Sequence, residues 1–397
     1  MWNDDIAYAM VFSKFFTLPI GDWPLQKFNT FTLVRYIISF CIICTNIINS
    51  FINVYYMQAN INCGNTYKII DAMMIGFTCV LALIKHLMFR VYAENLTHNY
   101  SSAINDYCAI DTEEKRTIMR QHAFLGRMVF YFVTAMAFTC AVCLIMTPII
   151  EYSNSVQVNA STNKHTSRYP VPSDCTWGKL DVSMRTYLLL FVLQFIQIGI
   201  SSCAYVGNDS LFLAITLHVC GQMELLKIEF RKNFAMETKN IMEDFSKLMT
   251  RHCCLLRLAQ QLTDAISVVL LMQFFVSSIL ICIMGFQLIL ALKVIDVVMI
   301  IKATIMLLTF LSQLFAYSVV GEYLKSQTEK VAYSIYCSNW HCLSAKFMRN
   351  ILFIIARSQQ PVTFLAGNYL VVNLPTYMSV LQTSFSYLSV LRMMVDN

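Results

Sequence analysis

Seven long apolar runs divide the chain, at residues 33–57, 69–89, 128–150, 186–207, 266–292, 294–320 and 364–391. Each meets the roughly twenty mainly apolar residues that a helix needs to cross the hydrocarbon core of a bilayer. The runs are continuous rather than alternating, which excludes a transmembrane β-barrel. An eighth run, FMRNILFIIA at 347–356, is too short to cross and predicts a buried or interfacial helix. Residues 151–183 are rich in Ser, Asn, Pro and Thr and predict an irregular loop. Residues 214–261 are charged but keep helical spacing, so the fourth span is expected to continue as a helix beyond the membrane. The pattern predicts an all-α membrane protein with seven transmembrane helices.

Composition agrees: 57% of the chain is hydrophobic and 13% charged, against about a quarter charged in soluble domains. Asp4 and Asp5 stand where a signal peptide would be basic, so no cleaved leader is expected. Most of the 29 Lys and Arg residues fall at the N-terminus and in the even-numbered gaps and their flanks, including Lys85, Arg90, Arg120, Lys227, Arg251 and Arg357. The positive-inside rule then places the N-terminus in the cytosol and the C-terminus outside. This is opposite to a G-protein-coupled receptor and disfavours that class and transporters. The fifteen cysteines are scattered through apolar runs and read as small buried hydrophobes, not a metal site. Cys63 and Cys175 fall in outer loops, where they can pair; the sequon at Asn159 lies outside and is open to glycosylation. The seven histidines are dispersed, with no legible Ser/His/Asp or Cys/His constellation, so no enzyme, cofactor or nucleic-acid partner is expected.

The last run, TFLAGNYLVVNLPTYMSVLQTSFSYLSVL, is long enough to cross yet rich in hydrogen-bonding side chains. Wound as one helix, it brings Ser386, Thr383, Ser379, Thr376, Val372 and Asn368 within about 40° of Val390, with Gln382 at the edge of the stripe. A lipid-facing stripe is disfavoured, because each unpaired amide or hydroxyl costs on the order of 1–3 kcal/mol. Two readings stay open: close packing against another helix, or one wall of a water-filled pore. A pore needs several copies of the helix, discriminates weakly among small ions because the stripe is uncharged, and has Val390 as an apolar collar.

The stretch YSVVGEYLKSQTEKVAYSIYCSNWHCL at 317–343, followed by ARSQQPVTFLAGNYL and TSFSYLSVLRMM, resembles the C-terminal signature of insect odorant receptors, especially hymenopteran ones. Gly321, Glu322, Ser326, Thr328, Ala332, Tyr333 and Trp340 carry the resemblance; His341 departs from it where many relatives have Tyr. Gustatory receptors, the sister class, usually end in a motif closing on Gln-Phe. Here Arg392 and Met393 take those places, which favours the odorant branch over a homomeric gustatory-type channel.

The resemblance implies an odorant-gated, weakly selective cation channel, a tuning subunit that assembles with a shared co-receptor as a heterotetramer in the plasma membrane of olfactory neuron dendrites. It implies three regions: residues 1–320 with six spans and the ligand pocket, 321–358 as a cytosolic anchor segment, and 359–397 with the pore-lining helix. The seventh helix is then split near Ser358–Pro361, Val390 is the gate with Tyr387 beside it, and Tyr333, Trp340 and His341 belong to the anchor. The implied pocket lies in the outer halves of spans two, three, four and six. There Met73, Met74, Phe77, Phe138, Val142, Met146, Tyr187, Phe191, Phe195, Ile301 and Ile305 offer aromatic and Met surface for a small volatile, with Tyr187 as a polar handle. Lys302, inside the sixth span, is expected to snorkel to the outer surface toward Asp296, and Asp71 to lie near an interface.

Overall fold

The computed structural model describes residues 4–59, 66–158, 184–235, 241–340, 344–367 and 369–396. Ten helices and one short hairpin follow in order: α1 (Asp4–Thr17), α2 (Thr30–Ala59), α3 (Thr66–Val91), α4 (Ala93–Cys108), α5 (Glu113–Val158), α6 (Met184–Ala235), α7 (Ile241–Val294), α8 (Val297–Tyr336), α9 (Ala345–Ser358), β1 (Leu365–Ala366), β2 (Leu370–Val371) and α10 (Leu374–Asp396). Among the described residues six helices, α2, α3 and α5 to α8, are long and apolar enough to cross a membrane. The polar stripe keeps α10 out of that set, although its 23 residues reach about 34 Å at the usual rise per residue.

The solvent these helices face is written in α2. Its buried side carries Ser39, Asn46, Ser50 and Asn53, while Ile37, Ile38, Ile48, Phe51 and Ile52 point outward. This reverses the amphipathicity of a helix in a water-soluble protein. It suits lipid, where polar side chains turn inward to find partners.

Helices α6 and α7 run to 52 and 54 residues, about 80 Å each, far beyond the roughly 30 Å hydrocarbon core. Their far ends join α1, α4, α9 and the end of α8 in a second bundle. The long helical extension of the fourth span is therefore present. Polar locks tie this bundle together. Asp5 of α1 accepts from Arg116 at 2.8 Å and Arg120 at 2.6 Å. Asp106 of α4 meets His218 of α6 at 3.0 Å and Arg251 of α7 at 2.7 Å. Burial pushes the Asp106 carboxyl up, but the His218 and Arg251 contacts outweigh it and hold the group below its ordinary value.

Two expected boundaries move. Residues 151–158 continue α5 instead of starting a loop; the remainder of that expected loop, 159–183, with Asn159 and Cys175, lies outside the described residues, as does Cys63. The last run is not one helix. After α9 ends at Ser358, residues 359–373 form an irregular stretch around an antiparallel hairpin pairing Leu365 with Val371 and Ala366 with Leu370. Gly367 turns the hairpin at a φ of +61°, which side-chain-bearing residues rarely adopt. Its N–H donates to Ser267 O of α7 at 3.1 Å. Helix α10 starts only at Leu374 because Asn373 caps it, its Oδ1 accepting from Thr376 N at 2.9 Å. Pro375 fits the first turn, where no N–H is needed. The stripe therefore loses Val372, which is buried outside the helix, and Asn368, which lies outside the described residues.

Gly321 of α8 is where this linker presses closest. A Cβ there would sit 2.4 Å from the Val372 carbonyl oxygen, a backbone atom that cannot rotate away. Gly321→Ala should destabilise the fold by about 1–3 kcal/mol, the usual penalty of overpacking. Thermal unfolding of detergent-purified protein reads this directly; an unchanged Tm would show that the linker yields.

Candidate ligand cavity and pore helix

Between α2, α3, α5, α6 and α8 lies a cavity of about 120 Å³. Met74, Ile75, Thr78 and Cys79 of α3, with Ala137, Cys140, Ala141 and Leu144 of α5, supply a mostly apolar wall. Opposite stand Ile198, Ser201, Ser202, Tyr205 and Val206 of α6, Thr309, Phe310 and Gln313 of α8, and Asn46 of α2. The space is close to the 150 Å³ or so of an engineered apolar cavity that takes benzene, so a one-ring or short-chain molecule is the size class it suits.

Tyr205 and Gln313 connect the cavity to a buried polar network. Lys85 of α3 is fully buried and donates to Asp209 Oδ1 of α6 at 2.6 Å. Asp209 also accepts from Gln313 Nε2 at 2.7 Å and from the Tyr317 hydroxyl. The Tyr205 hydroxyl donates to Gln313 Oε1, and the Tyr205 ring lies 3.8 Å under the Lys85 ammonium. Gln273 of α7 donates to Tyr205 OH and Gln313 Oε1, each at 3.3 Å, and to Ser277 at 2.9 Å. A buried charge pair persists only when its remaining hydrogen-bonding capacity is met, and here four helices meet it.

A second buried pair corrects the reading of Lys302. The side chain does not snorkel toward Asp296; it is 3% exposed and bonds to Asp71 of α3, which is 6% exposed and also accepts from Gln287 Nε2 of α7 at 3.3 Å. Asp296 is committed elsewhere, capping α8 by accepting from Val298 N and Met299 N. Asp71 lies one turn before Met74 and Ile75, which line the cavity.

Of the residues expected to hold a ligand, Met74 lines the cavity. Phe77 sits beside it, packed edge-on to Phe51 with ring centroids 6.4 Å apart. The rings of Tyr187 and Phe191 lie 6.3 Å apart, tilted by 49°, and neither residue lines the cavity. Phe138, Val142, Met146, Phe195 and Ile301 are more than 40% exposed and face outward; Met73 and Ile305 are half-buried outside the lining. The expected set chose large side chains on the right helices; the cavity exists because small ones, Ala137, Ala141, Ser201 and Ser202, leave room.

Asp22, His86 and Ser39 make a constellation the sequence did not reveal. His86 Nδ1 lies 2.7 Å from Asp22 Oδ2 and Nε2 lies 3.1 Å from Ser39 Oγ. These residues are 17 and 47 positions apart, with no local pattern to signal them. Ser39 is 3% exposed and its hydroxyl also meets Ile20 O at 3.1 Å and Tyr36 O at 2.9 Å, so the three groups join α2, α3 and the loop before α2.

Helix α10 lies against α7. Ser384 is buried, with its hydroxyl donating to Ser278 O at 3.4 Å, and Leu388 packs over Gly285. On the opposite side Ser379, Gln382, Thr383, Ser386 and Val390 are exposed and Thr376 is half-buried. The polar stripe is therefore not the face that packs within this chain. At the other end of the molecule, Tyr333, Tyr336, Leu352 and Phe353 are exposed, the last at 82%. Trp340 Nε1 donates to Tyr336 O at 3.1 Å, and His341 lies outside the described residues.

Long apolar helices with a cavity among them and one separately packed polar helix define a polytopic membrane protein. Residues 65–385 match the 7tm Odorant receptor family, and the chain belongs to that family. It is 27% identical over 219 residues to Odorant receptor 47b of Drosophila melanogaster, covering 54% of this chain and 53% of that one. It is 22% identical over 335 residues to Odorant receptor 10 of Aedes albopictus, covering 81% and 84%. The chain spans about half the length of the Drosophila relative it matches. The fold is similar to that of the insect olfactory receptor OR5 from Machilis hrabei in complex with eugenol, with a TM-score of 0.76 and 13% identity over 98% of this chain and 100% of that one. At that identity the likeness shows the fold.

Proposed function

We propose that this chain is the tuning subunit of an odorant-gated, non-selective cation channel that works as a heterotetramer with a shared co-receptor. Its place is the plasma membrane of olfactory neuron dendrites. The observation that carries this reading is the uncovered polar face of α10. Thr376, Ser379, Thr383 and Ser386 run along it without a charge, while the other side of the helix is fixed to α7. Four such faces around an axis make a hydrated wall for permeant cations, with Val390 as its apolar collar. The exposed aromatic surface at Tyr333, Tyr336 and Phe353 supports a subunit contact outside the membrane.

The cavity is the ligand site in this reading, and membership of the odorant receptor family supports a volatile as its occupant. Ligand and pore share one helix. Tyr205 and Gln313 line the cavity and bond to Gln273 of α7; five residues along α7, Ser278 holds Ser384 of α10. Filling the cavity shifts α7 and thereby α10.

Val390→Ala should widen the collar and raise basal current severalfold in cells expressing the chain with its co-receptor. Leak equal to wild type at equal surface expression would remove Val390 from the gate. Current in cells lacking any co-receptor would instead support a homomeric, gustatory-type channel.

A further inference from the structure

Asn46 of α2 is the one strongly polar residue that the first span gives to the cavity. It is 2% exposed, so the side chain is turned away from lipid and toward the cavity. Its Nδ2 donates to Ser201 Oγ at 2.9 Å, which fixes the amide plane. Its Oδ1 has no hydrogen-bond partner among the described residues. An amide acceptor that opens on the cavity without a protein partner is available to a ligand that donates to it. The lining adds Ile75, Cys79 and Ile198 for apolar contact, with Thr78, Ser202, Tyr205 and Gln313 as its further polar groups.

From this arrangement we propose that the cavity selects small molecules bearing a hydroxyl group, an alcohol or a phenol, and that Asn46 is the residue that reads it. The proposal rests on the cavity being the ligand site, as above, and deepens it by naming the ligand class. The hydroxyl donates to Asn46 Oδ1 while the carbon skeleton lies against Met74, Cys140 and Phe310. Ethers and hydrocarbons of the same shape fill the space but leave the amide oxygen unpaired. Sites that hydrogen-bond a ligand hydroxyl discriminate against analogues lacking it more strongly than apolar pockets discriminate by size.

The test uses the full chain with its co-receptor and three probes of one size: benzyl alcohol, anisole and ethylbenzene. Concentration–response curves for current are measured alongside the ligand-induced Tm shift of purified receptor. For the wild type, benzyl alcohol should act at roughly tenfold lower concentration than the other two, the worth of one neutral hydrogen bond. Asn46→Leu should bring the three curves together while ethylbenzene still acts. Should Asn46→Leu fail to reach the surface, Ser201→Ala, which frees the amide plane, should narrow the ratio to about threefold. Wild-type curves that coincide, or an alcohol preference that survives in the variants, would overturn the hydroxyl proposal and leave the channel reading standing. An Asn46-dependent Tm shift without any current would do the reverse. No shift and no current with any probe would overturn both.

Discussion

Asp209→Leu should empty the plasma membrane of this receptor. The substitution leaves Lys85 fully buried with its only carboxylate gone, and strips Tyr317 and Gln313 of their shared acceptor. Removing one partner of a buried ion pair costs about 3–5 kcal/mol, a large part of the 5–15 kcal/mol that holds a typical fold. Surface biotinylation should show loss of most of the mature protein, with the remainder melting at lower temperature. The double variant Lys85→Met/Asp209→Leu removes both charges and should restore most surface expression. Equal loss in the single and double variants would mean that the hydrogen bonds to Asp209, not the stranded ammonium, carry the effect.

Lys302→Met should be nearly as damaging, and here the outcome separates two pictures of the residue. A lysine that snorkels to the surface can be replaced by Met at little cost. A lysine bonded to a buried Asp71 cannot, because the carboxylate is left behind with only Gln287 for company. We expect a loss of about 3–5 kcal/mol for Lys302→Met alone and near wild-type stability for Lys302→Met/Asp71→Leu. Thermal unfolding of the purified single and double variants measures both. A neutral single variant would return Lys302 to the interface.

What the sequence made legible was whatever depends on length and mean polarity. The apolar runs located the spans, and helical spacing carried the fourth span past the membrane into α6. Failures came where one residue overrode the average. Helical winding was extended through 364–373, but Gly367, Asn373 and Pro375 turn the chain, cap a new helix and start it at Leu374. The stripe kept Thr376, Ser379, Thr383, Ser386 and Val390 because they lie beyond that cap. Lys85 was counted among the cytosolic flanking charges, yet it is fully buried. Its partner is a single Asp inside the AYVGNDSLFLA stretch of α6, a signal for buried pairing that an intramembrane charge gives by default. The cavity was the least legible part. Space is left by small residues converging from five helices, and no pattern within one helix records which neighbours will face it.

The unbroken length of α7 has a mechanical consequence. A rod of about 80 Å tilting by about 5° about its middle carries each end through about 3.5 Å. One end is seated in the second bundle, Ser278 past the middle holds α10, and Gln273 nearby bonds to Tyr205 in the cavity wall. A tilt of that size moves the Ser278 contact with α10 by about 1.4 Å. In the proposed assembly, the grip of neighbouring subunits on the far end sets how much of a ligand's push is spent on opening.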